Sequence, residues 1–346
     1  MKNILITGGG CPGWYSTYRL LRETEAGRDC TVYSCDLLAH TVGTSIAHDS
    51  FVVPRGDDAR FIDVLQEHVS KLQIDLIIPL TDPELLPLAR NEHRLRSLHC
   101  DVLISPPAAL ETALDKNRLY SALPHLSPAL LSNIRDLDTL QRFIAEKSDG
   151  ASCFIKLKSA HGSRGTKKVV SDAAWIEGFR GKKPEDFGLT FPRSHVSDLL
   201  AGHEIIALET LPGTEYSIDC VFDRDHGLAF YGVRERETIR NGICSTARFV
   251  VDADDEFRRF VGAISDVVTF RYNINIQAKR DRDGALKLLE INPRISGSLE
   301  SFGTVGHNLL GQSLAVLDGS RRAGDITPRQ YPALRSFRLS HFVSGD

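Results

Sequence analysis

The sequence of 346 residues lacks the features that would place a protein in a membrane. No stretch approaches the ~18 consecutive apolar residues that a membrane-spanning helix needs. The apolar run Ile4–Ile6 passes directly into glycines, without the longer apolar segment and small-residue cleavage site of a signal peptide. We therefore expect a cytoplasmic protein with no membrane partner.

Basic runs and paired cysteines are also lacking. The formal net charge is −3, and no run of Lys and Arg supports nucleic acid as a partner. The 7 cysteines are odd in number and scattered, and none forms a C-x-x-C pair. This pattern favours reduced thiols over a disulfide framework or a zinc site.

What the sequence does contain, over residues 1–110, is an alternation of apolar strands and helices typical of βαβ units. Asn3–Thr7, Cys30–Cys35 and Asp75–Pro79 have the short apolar runs of buried strands, and Phe61–Lys71 has helical spacing. We therefore predict a Rossmann-like N-terminal domain.

The pattern changes after Ser105-Pro106-Pro107, which we interpret as a linker because consecutive prolines cannot continue a helix. Leu110–Leu123 is predicted as one helix, and several paired strands follow. The predicted fold class is α/β (α+β), with a Rossmann-like domain at residues 1–110 and an α+β domain at residues 111–325. Residues 326–346 are a tail of uncertain structure.

A glycine-rich turn follows the first predicted strand. Gly8-Gly9-Gly10-Cys11-Pro12-Gly13 matches the G-x-G-x-x-G spacing of a dinucleotide-binding turn, and Asp36 ends the second strand. However, Pro12 removes a backbone N–H that a pyrophosphate would use, and Trp14 places a large ring at the start of the helix. The alternatives are the dinucleotide site of an NAD-dependent oxidoreductase or a tight turn that binds no ligand.

The segment Leu289–Arg294 carries polar side chains at alternate positions. On a strand, Glu290, Asn292 and Arg294 share one face. A hairpin turn at Asp283-Gly284 would put Gln277 of the preceding strand opposite Glu290. The oxygen donors Gln277, Glu290 and Asn292 beside a fixed cation suit a divalent metal and the phosphate chain that it neutralises. The alternative is an exposed polar hairpin face without a ligand.

Two other segments suit a nucleotide. The strand Phe154–Lys158 has Lys156 and Lys158 on one face and runs into residues 159–166, a small-residue loop whose backbone N–H groups can approach an anion. Glu209–Glu215 is a strand, a Pro-Gly turn and the start of another strand, with an acid on each side. Taken alone, each segment is equally typical of an ordinary turn or loop that binds no ligand.

The order of these segments resembles that of the ATP-grasp superfamily, in the branch of the carbamoyl phosphate synthetase large subunit and biotin carboxylase. The segments are Asp115-Lys116, Ile155-Lys156 with its glycine loop, Glu209–Glu215, and Gln277 with Glu290–Arg294. The resemblance runs from Asp115 to Gly319. It implies two α+β subdomains that grip ATP, with a flexible lid at about residues 150–208, behind a Rossmann-like preATP-grasp domain whose glycine turn usually holds no dinucleotide.

The resemblance also implies a nucleotide-binding role for several residues. Lys116 and Lys156 would contact the ATP phosphates under a flap that contains Gly162, Ser163 and Gly165. Glu209 and the backbone of Leu211 would line the adenine, and Glu215 would accept hydrogen bonds from the ribose hydroxyls.

The remaining implied roles concern the metal and the chemical step. Gln277, Glu290 and Asn292 would hold Mg²⁺, with Mn²⁺ as a substitute. Arg294, together with Lys156, would stabilise the transferring phosphoryl group. Gln277 stands where many members carry a carboxylate, which leaves a second metal ion in question, and residues 270–273 lack the glycine that is common there.

The expected reaction is that of an ADP-forming carboxylate–amine ligase. A carboxylate attacks the γ-phosphate of ATP, and an amine then displaces phosphate from the acyl phosphate to give an amide. Few residues follow Arg294, too few for the C-terminal domain of a biotin carboxylase, and no second module is present, as a complete carbamoyl phosphate synthetase would need. The chain is similar to free-standing ligases such as the amino-acid ligase of the pyrrolysine pathway.

Substrate contacts are predicted at two places. Arg234 and Arg236 share a strand face that suits a substrate carboxylate, with Arg248 as a further candidate and a solvated strand edge as the alternative. Thr81, Asp82 and Glu84 either reach the cleft from the N-terminal domain or cap the following helix.

The expected partners are a small-molecule carboxylate and an amine, and a homodimer is compatible with the sequence. Three alternative functions stay open: phosphorylation of bicarbonate or carbamate as in carbamoyl phosphate synthetase, an NAD-dependent oxidoreductase, and a regulatory protein that binds ATP without turnover.

Overall fold

The fold is known from a computed structural model that describes residues 2–132, 134, 136–148, 152–157, 166–170, 190–192, 205–240, 243–250, 255–304, 306–321 and 337–338. Within these ranges the strands form three sheets, one of them in the N-terminal domain. Residues 159–165 of the predicted flap 159–166 lie outside the described part of the chain, as do residues 326–336 and 339–346 of the predicted tail. No described helix is long and apolar enough to cross a lipid bilayer.

The N-terminal sheet is parallel and has the strand order β3-β2-β1-β4-β5. Its strands are β1 Asn3–Thr7, β2 Thr31–Asp36, β3 Asp49–Val52, β4 Leu76–Ile78 and β5 Asp101–Val102. The connecting helices are α1 Trp14–Arg22, α2 Glu25–Arg28, α3 Val42–Ile46, α4 Phe61–Leu72, α5 Asp82–Arg90 and α6 Glu92–Arg96. This arrangement confirms the Rossmann-like prediction.

The central strands of this sheet are continuous apolar runs because both of their faces are covered. In β1, Ile4 and Ile6 pack into one hydrophobic cluster, and Leu5 packs into the cluster on the opposite face of the sheet. In β4, Ile77 joins Leu5, whereas Leu76 joins Ile4. The two faces of one sheet thus supply two separate cores.

The predicted helix Leu110–Leu123 is wrong, because the structure has two helices, α7 Pro107–Leu114 and α8 Lys116–Ala122. Pro107 starts α7 rather than excluding a helix, since the first helical position needs no N–H donor. Asp115 has an extended backbone and accepts hydrogen bonds from the backbone N–H groups of Asn117 and Arg118. This N-cap makes Lys116 the first residue of α8.

The second and third sheets form the rest of the molecule. The second has the order β6-β10-β7-β8-β9, with β6 Leu130–Leu131, β7 Ser152–Leu157, β8 Thr166–Val170, β9 Thr190–Pro192 and β10 Ile205–Glu209. The third has the order β15-β14-β11-β12-β13-β16, with β11 Glu215–Phe222, β12 Leu228–Arg240, β13 Ile243–Phe249, β14 Tyr272–Arg280, β15 Leu286–Asn292 and β16 Phe337–Arg338. The further helices are α9 Leu137–Lys147, α10 Asp255–Ser265, α11 Glu300–Thr304 and α12 Leu309–Leu317.

The third sheet has one apolar face. Helix α10 covers this face with Phe257, Phe260 and Ile264, which pack on alternate strand residues such as Ile218 and Ile276. Because side chains alternate on a strand, the intervening residues of the same strands point to the other side. That other face carries the predicted metal and phosphate residues.

Glu84 is a buried carboxylate that caps α5 and also ties it to β1. Its Oε1 accepts hydrogen bonds from the Thr7 hydroxyl at 2.7 Å and from the backbone N–H groups of Leu80 and Thr81 at 3.0 and 2.7 Å. Burial raises the pKa of Glu84, although these hydrogen bonds lower it in part. Of the two alternatives for Glu84, the structure supports the helix cap.

We expect Glu84→Ala to destabilise the protein, because the Thr7 hydroxyl and the backbone N–H groups of Leu80 and Thr81 each lose an acceptor. The free energy of unfolding should fall by roughly 1–3 kcal/mol. Urea unfolding followed by circular dichroism measures the change, with Glu67→Ala on the exposed face of α4 as the control. An equal, small effect of both substitutions would contradict the capping role.

Candidate active site

The hairpin of β14 and β15 places Gln277 directly opposite Glu290, as the sequence predicts. The turn differs from the prediction. Its loop has three residues, Arg282 to Gly284, closed by a hydrogen bond from the Asp281 N–H to the Ala285 carbonyl. Gly284 has a φ of 82°, a conformation that glycine adopts without strain.

A β-bulge at Leu289 compensates for the longer loop. Ala278 pairs with Leu288 and Gln277 pairs with Glu290, so Leu289 has no partner across the ladder. The bulge also reverses the faces of β15, since Leu288 and Ile291 both point into the hydrophobic core. Glu290 therefore points away from the core, whereas strict alternation from Leu288 would bury it.

The bulge is held by a side chain from α8. The Tyr120 hydroxyl donates a hydrogen bond of 2.7 Å to the Leu289 carbonyl. Burial raises the pKa of Tyr120, and the nearby charge of Glu290 raises it further, so the phenol stays a neutral donor. Lys116 lies one helical turn before Tyr120, on the same side of α8. Its Nζ is 3.7 Å from Glu290 Oε2.

The polar face of the third sheet brings together residues from four strands. One row across the strands consists of Arg234, Ser217, Gln277 and Glu290, and the next contains Asp219, Asn275 and Asn292. Antiparallel register alone produces these rows, because paired residues point to the same face. The three predicted metal-binding residues are thus neighbours on one surface.

The donor set at Glu290 fits one divalent cation. Asn292 Nδ2 donates to Glu290 Oε1 at 3.1 Å, and a half-turn of the amide presents its oxygen to the same point. Carboxylate and amide oxygens are ligands of Mg²⁺. Among the described residues, no group of three or more His, Cys, Asp or Glu side chains forms a metal site. Any metal ion here therefore needs oxygens from its phosphate ligand or from water as well.

Arg294 joins the metal residues to the N-terminal domain. Its Nε donates to Asp82 Oδ1 at 2.7 Å, across the boundary between the predicted domains. Burial lowers the pKa of Arg294, but the charge and hydrogen bond of Asp82 outweigh this effect and the net shift is upward. Asp82 thus reaches the cleft from the N-terminal domain, as one of the two sequence-based alternatives holds.

A cavity of about 320 Å³ lies between these elements. Its polar lining comes from Glu290, Asn292, Arg294 and the adjoining sheet residues, and its opposite wall is the glycine-rich turn with Cys11 and Pro12. The walls meet closely, because a Cβ atom on Gly13 would lie 3.1 Å from the Gly297 Cα atom.

The glycine-rich turn uses its own acid internally. Asp36 Oδ2 accepts a hydrogen bond of 2.8 Å from the Gly10 N–H, and the Gly9 N–H donates to the Cys35 carbonyl. A carboxylate that binds ribose hydroxyls and backbone N–H groups that bind pyrophosphate define the dinucleotide fingerprint. In this structure the Asp36 carboxylate and the Gly10 N–H are hydrogen-bonded to each other.

Arg234 is buried with an exposure of 2% and is held by protein groups. It forms an ion pair with Asp219 and donates to the Ser298 carbonyl and the Ser301 hydroxyl, both at 3.1 Å. Among the described residues, its Nε has no hydrogen-bond partner, and neither has the buried hydroxyl of Ser296. Both residues line the cavity. Arg248 instead lies on the exposed side of β13, paired with Glu237.

The predicted adenine and ribose residues lie near the end of β10. Glu209 Oε1 accepts a hydrogen bond of 2.8 Å from the Ala129 N–H, which fixes the strand leading to β6. Leu211 is buried. Glu215 forms ion pairs with Arg236 at 2.5 Å and with Lys279 at 3.8 Å. The nucleotide contacts of Glu209, Leu211 and Glu215 remain predictions.

Four predicted residues lie partly or wholly outside the described part of the chain. Gly162, Ser163 and Gly165 are not described. Lys156 is described only through its backbone, which lies in β7 between Ile206 and Thr166. The structure therefore does not test the predicted phosphate flap.

The residues that the sequence did not single out are Ser217, Asp219, Asn275 and Ser296. Polar residues at alternate positions of β11 and β14 were a usable signal, since a half-buried sheet would otherwise carry apolar or charged residues there. The bulge that selects the polar face of β15 left no such signal in the sequence.

Two family models match the chain. Residues 4–103 match the PylC-like N-terminal domain, and residues 202–336 match the family described as ATP-grasp in the biosynthetic pathway with Ter operon. The chain therefore combines a PylC-like N-terminal domain with an ATP-grasp domain. The predicted fold and the resemblance to the ATP-grasp superfamily are thus confirmed, whereas the exact domain boundaries stay predictions.

Solved structures agree with an ATP-grasp fold. N5-carboxyaminoimidazole synthetase from Staphylococcus aureus complexed with ADP has a TM-score of 0.66 and 16% identity, over 97% of this chain and 80% of that one. The biotin carboxylase domain of 2-oxoglutarate carboxylase from Hydrogenobacter thermophilus, in complex with MgADP and bicarbonate, has a TM-score of 0.67 and 11% identity, over 95% and 72%.

An L-amino acid ligase from Bacillus licheniformis is also similar, with a TM-score of 0.63 and 14% identity over 97% of this chain and 78% of that one. No curated protein sequence matches the chain significantly. At these identities the solved structures establish the fold alone, which is the ATP-grasp fold.

We expect Tyr120→Phe to destabilise the ATP-grasp domain, because the Leu289 carbonyl at the bulge loses its donor. The free energy of unfolding should fall by roughly 1–3 kcal/mol. Urea unfolding measures the change. Tyr15→Phe on the surface of α1 is the matched control and should have no measurable effect. Equal stability of both variants would show that the bulge does not depend on Tyr120.

Proposed function

We propose that this protein is an ATP-dependent, ADP-forming carboxylate–amine ligase. The proposal rests on one observation: Glu290, Asn292 and Arg294 line one cavity that the glycine-rich turn of the N-terminal domain closes, and Lys116 lies beside Glu290. Phosphoryl transfer needs positioning and charge neutralisation more than covalent catalysis, and these residues are suited to both tasks. The similar structures with ADP and MgADP support the same assignment.

In the proposed reaction, an oxygen of the substrate carboxylate attacks the γ-phosphorus of ATP, and the bond from that phosphorus to the β–γ bridging oxygen breaks to release ADP. The nitrogen of the amine then attacks the acyl carbon, the bond from that carbon to the phosphate oxygen breaks with its electron pair going to the departing phosphate, and the amine nitrogen loses a proton. The products are an amide, ADP and phosphate.

The side chains have distinct tasks in this reaction. Glu290 and Asn292 would hold Mg²⁺, which neutralises the phosphate chain when it is bound. Arg294, fixed by Asp82, would stabilise charge on the transferring phosphoryl group. Lys116 is a cation next to Glu290 and would contact the phosphates. Lys156 and the loop with Gly162, Ser163 and Gly165 are proposed to cover them.

The acid substrate is proposed to bind beside Arg294. Ser296 and Arg234 line the cavity, and the buried Ser296 hydroxyl and Arg234 Nε lack a hydrogen-bond partner among the described residues. Buried polar groups are nearly always satisfied, so a polar substrate is a natural partner. A cavity of about 320 Å³ fits a small molecule of metabolite size. The similarity to an L-amino acid ligase favours an amino acid as one of the two substrates.

The alternative of an NAD-dependent oxidoreductase is disfavoured by the N-terminal turn. Asp36 already accepts the Gly10 N–H, so the acid and one backbone donor of the fingerprint are not open to a dinucleotide.

Phosphorylation of bicarbonate remains a second candidate, because one similar structure holds that anion with MgADP. The cytoplasmic location and a homodimer remain predictions.

We expect Mg·ADP and Mg·ATP to raise the melting temperature, whereas NAD⁺ and NADH should leave it unchanged. At a ligand concentration about 100 times Kd, the stabilisation is about 2.7 kcal/mol. A fluorescence-based thermal shift with both ligand pairs measures this directly. Stabilisation by NAD(H) alone would overturn the ligase proposal.

We expect Glu290→Ala to slow ADP release strongly, because the proposed metal site loses its carboxylate. Loss of an outer partner of a metal ligand typically costs about 10–100-fold, and loss of the ligand itself should cost at least as much. ADP release is first screened against panels of carboxylates and amines, and the active pair is then used for both variants. Glu67→Ala is the control and should retain the parent rate. An unchanged rate in Glu290→Ala would remove the metal assignment.

A further inference from the structure

Arg236 places a permanent positive charge next to the predicted metal residues. It lies on β12, and its side chain is only 5% exposed. One guanidinium nitrogen, Nη1, is 2.5 Å from Glu215 Oε1 and 2.6 Å from Gln277 Oε1. Two oxygen atoms from two strands thus converge on one cationic nitrogen.

This contact separates Gln277 from Glu290 and Asn292, the other two predicted metal-binding residues. The oxygen of Gln277 accepts from Arg236, whereas its partner across the hairpin, Glu290, lies beside Asn292 and Lys116. The residue at 277 is a neutral amide, so it can accept from a guanidinium without forming an ion pair. The amide oxygen of Gln277 could otherwise bind a second dication, but in this structure it accepts a hydrogen bond from Arg236.

The local charge also argues against a second divalent cation at this position. Glu215 and Glu290 carry negative charges, and Arg236, Lys279 and Lys116 lie within ion-pair distance of them, so these five side chains of the described chain have a net charge of +1. Arginine keeps its proton at every pH at which the protein is folded. A phosphate chain entering this surface meets a fixed cation before any metal ion is bound.

We propose that the Arg236 guanidinium takes the place of a second divalent cation, so that the nucleotide complex contains one metal ion, held by Glu290 and Asn292. Gln277 then acts as a positioning residue for Arg236 rather than as a metal ligand. Arg236 contacts the nucleotide phosphates, to which its planar donors are suited. This inference rests on the proposed function, since it requires a bound nucleotide.

The experiment counts Mn²⁺ ions in the complex with ADP, by electron paramagnetic resonance of free Mn²⁺ during titration. The parent protein should bind one Mn²⁺ per chain. Gln277→Glu should also bind one, because the new carboxylate pairs with Arg236. The double variant Arg236→Met with Gln277→Glu should bind two.

A matched control is Arg258→Met on α10, an exposed arginine on the helix that covers the opposite face of the same sheet. It should keep one Mn²⁺ and the parent affinity for ADP, whereas Arg236→Met should weaken ADP binding by roughly tenfold or more, as expected for loss of a charge-assisted hydrogen bond.

Two Mn²⁺ ions in the parent complex would overturn the role of Arg236 and leave the ligase proposal intact. So would a double variant that binds ADP but still holds only one Mn²⁺. The number of Mn²⁺ ions in the parent complex decides between one and two metal ions even if the variants fold poorly. A parent protein that binds no ADP would overturn both proposals.

Discussion

The hydrogen bond from the Tyr120 hydroxyl to the Leu289 carbonyl is the contact on which the geometry of the site depends. It satisfies the backbone group that the β-bulge removes from the ladder, and the bulge in turn decides that Glu290 leaves the core. Because Tyr120 and Lys116 are one turn apart on α8, the same contact brings a lysine to the carboxylate. One buried hydroxyl thus aligns two elements that are distant in the sequence.

The charged side chains of the site already have partners of opposite charge within the protein. Glu290 has Lys116, Arg294 has Asp82, and Glu215 has Arg236. Such pairs cost less to maintain than isolated charges in a partly buried cleft. They also place cations where a polyanionic ligand would be neutralised, so a nucleotide exchanges partners within an existing charge network. This differs from the glycine-rich turn, where Asp36 and Gly10 are partners of each other.

The sequence predicted the fold class because apolar runs define the strands of the N-terminal sheet by local rules. The predicted Gln277–Glu290 pairing also occurs, although the predicted turn does not, because the bulge at Leu289 offsets the longer loop. The errors have physical causes. Asp115 splits a predicted helix because it caps the next one, and the three-residue loop shifts the register until the bulge at Leu289 restores it. The contacts of Arg234 and Arg236 depend on tertiary packing, so strand alternation predicted their common face but not their partners.

The approach of Gly13 to Gly297 has a consequence for the width of the cleft. The two backbones meet there without a side chain between them, so these two positions fix the distance between the cleft walls at this point. A Cβ atom at position 13 would lie 3.1 Å from the Gly297 Cα atom, so any larger residue would require one of the two backbones to move by a few tenths of an ångström. The width of the cleft at this point thus depends on a residue that bears no functional group.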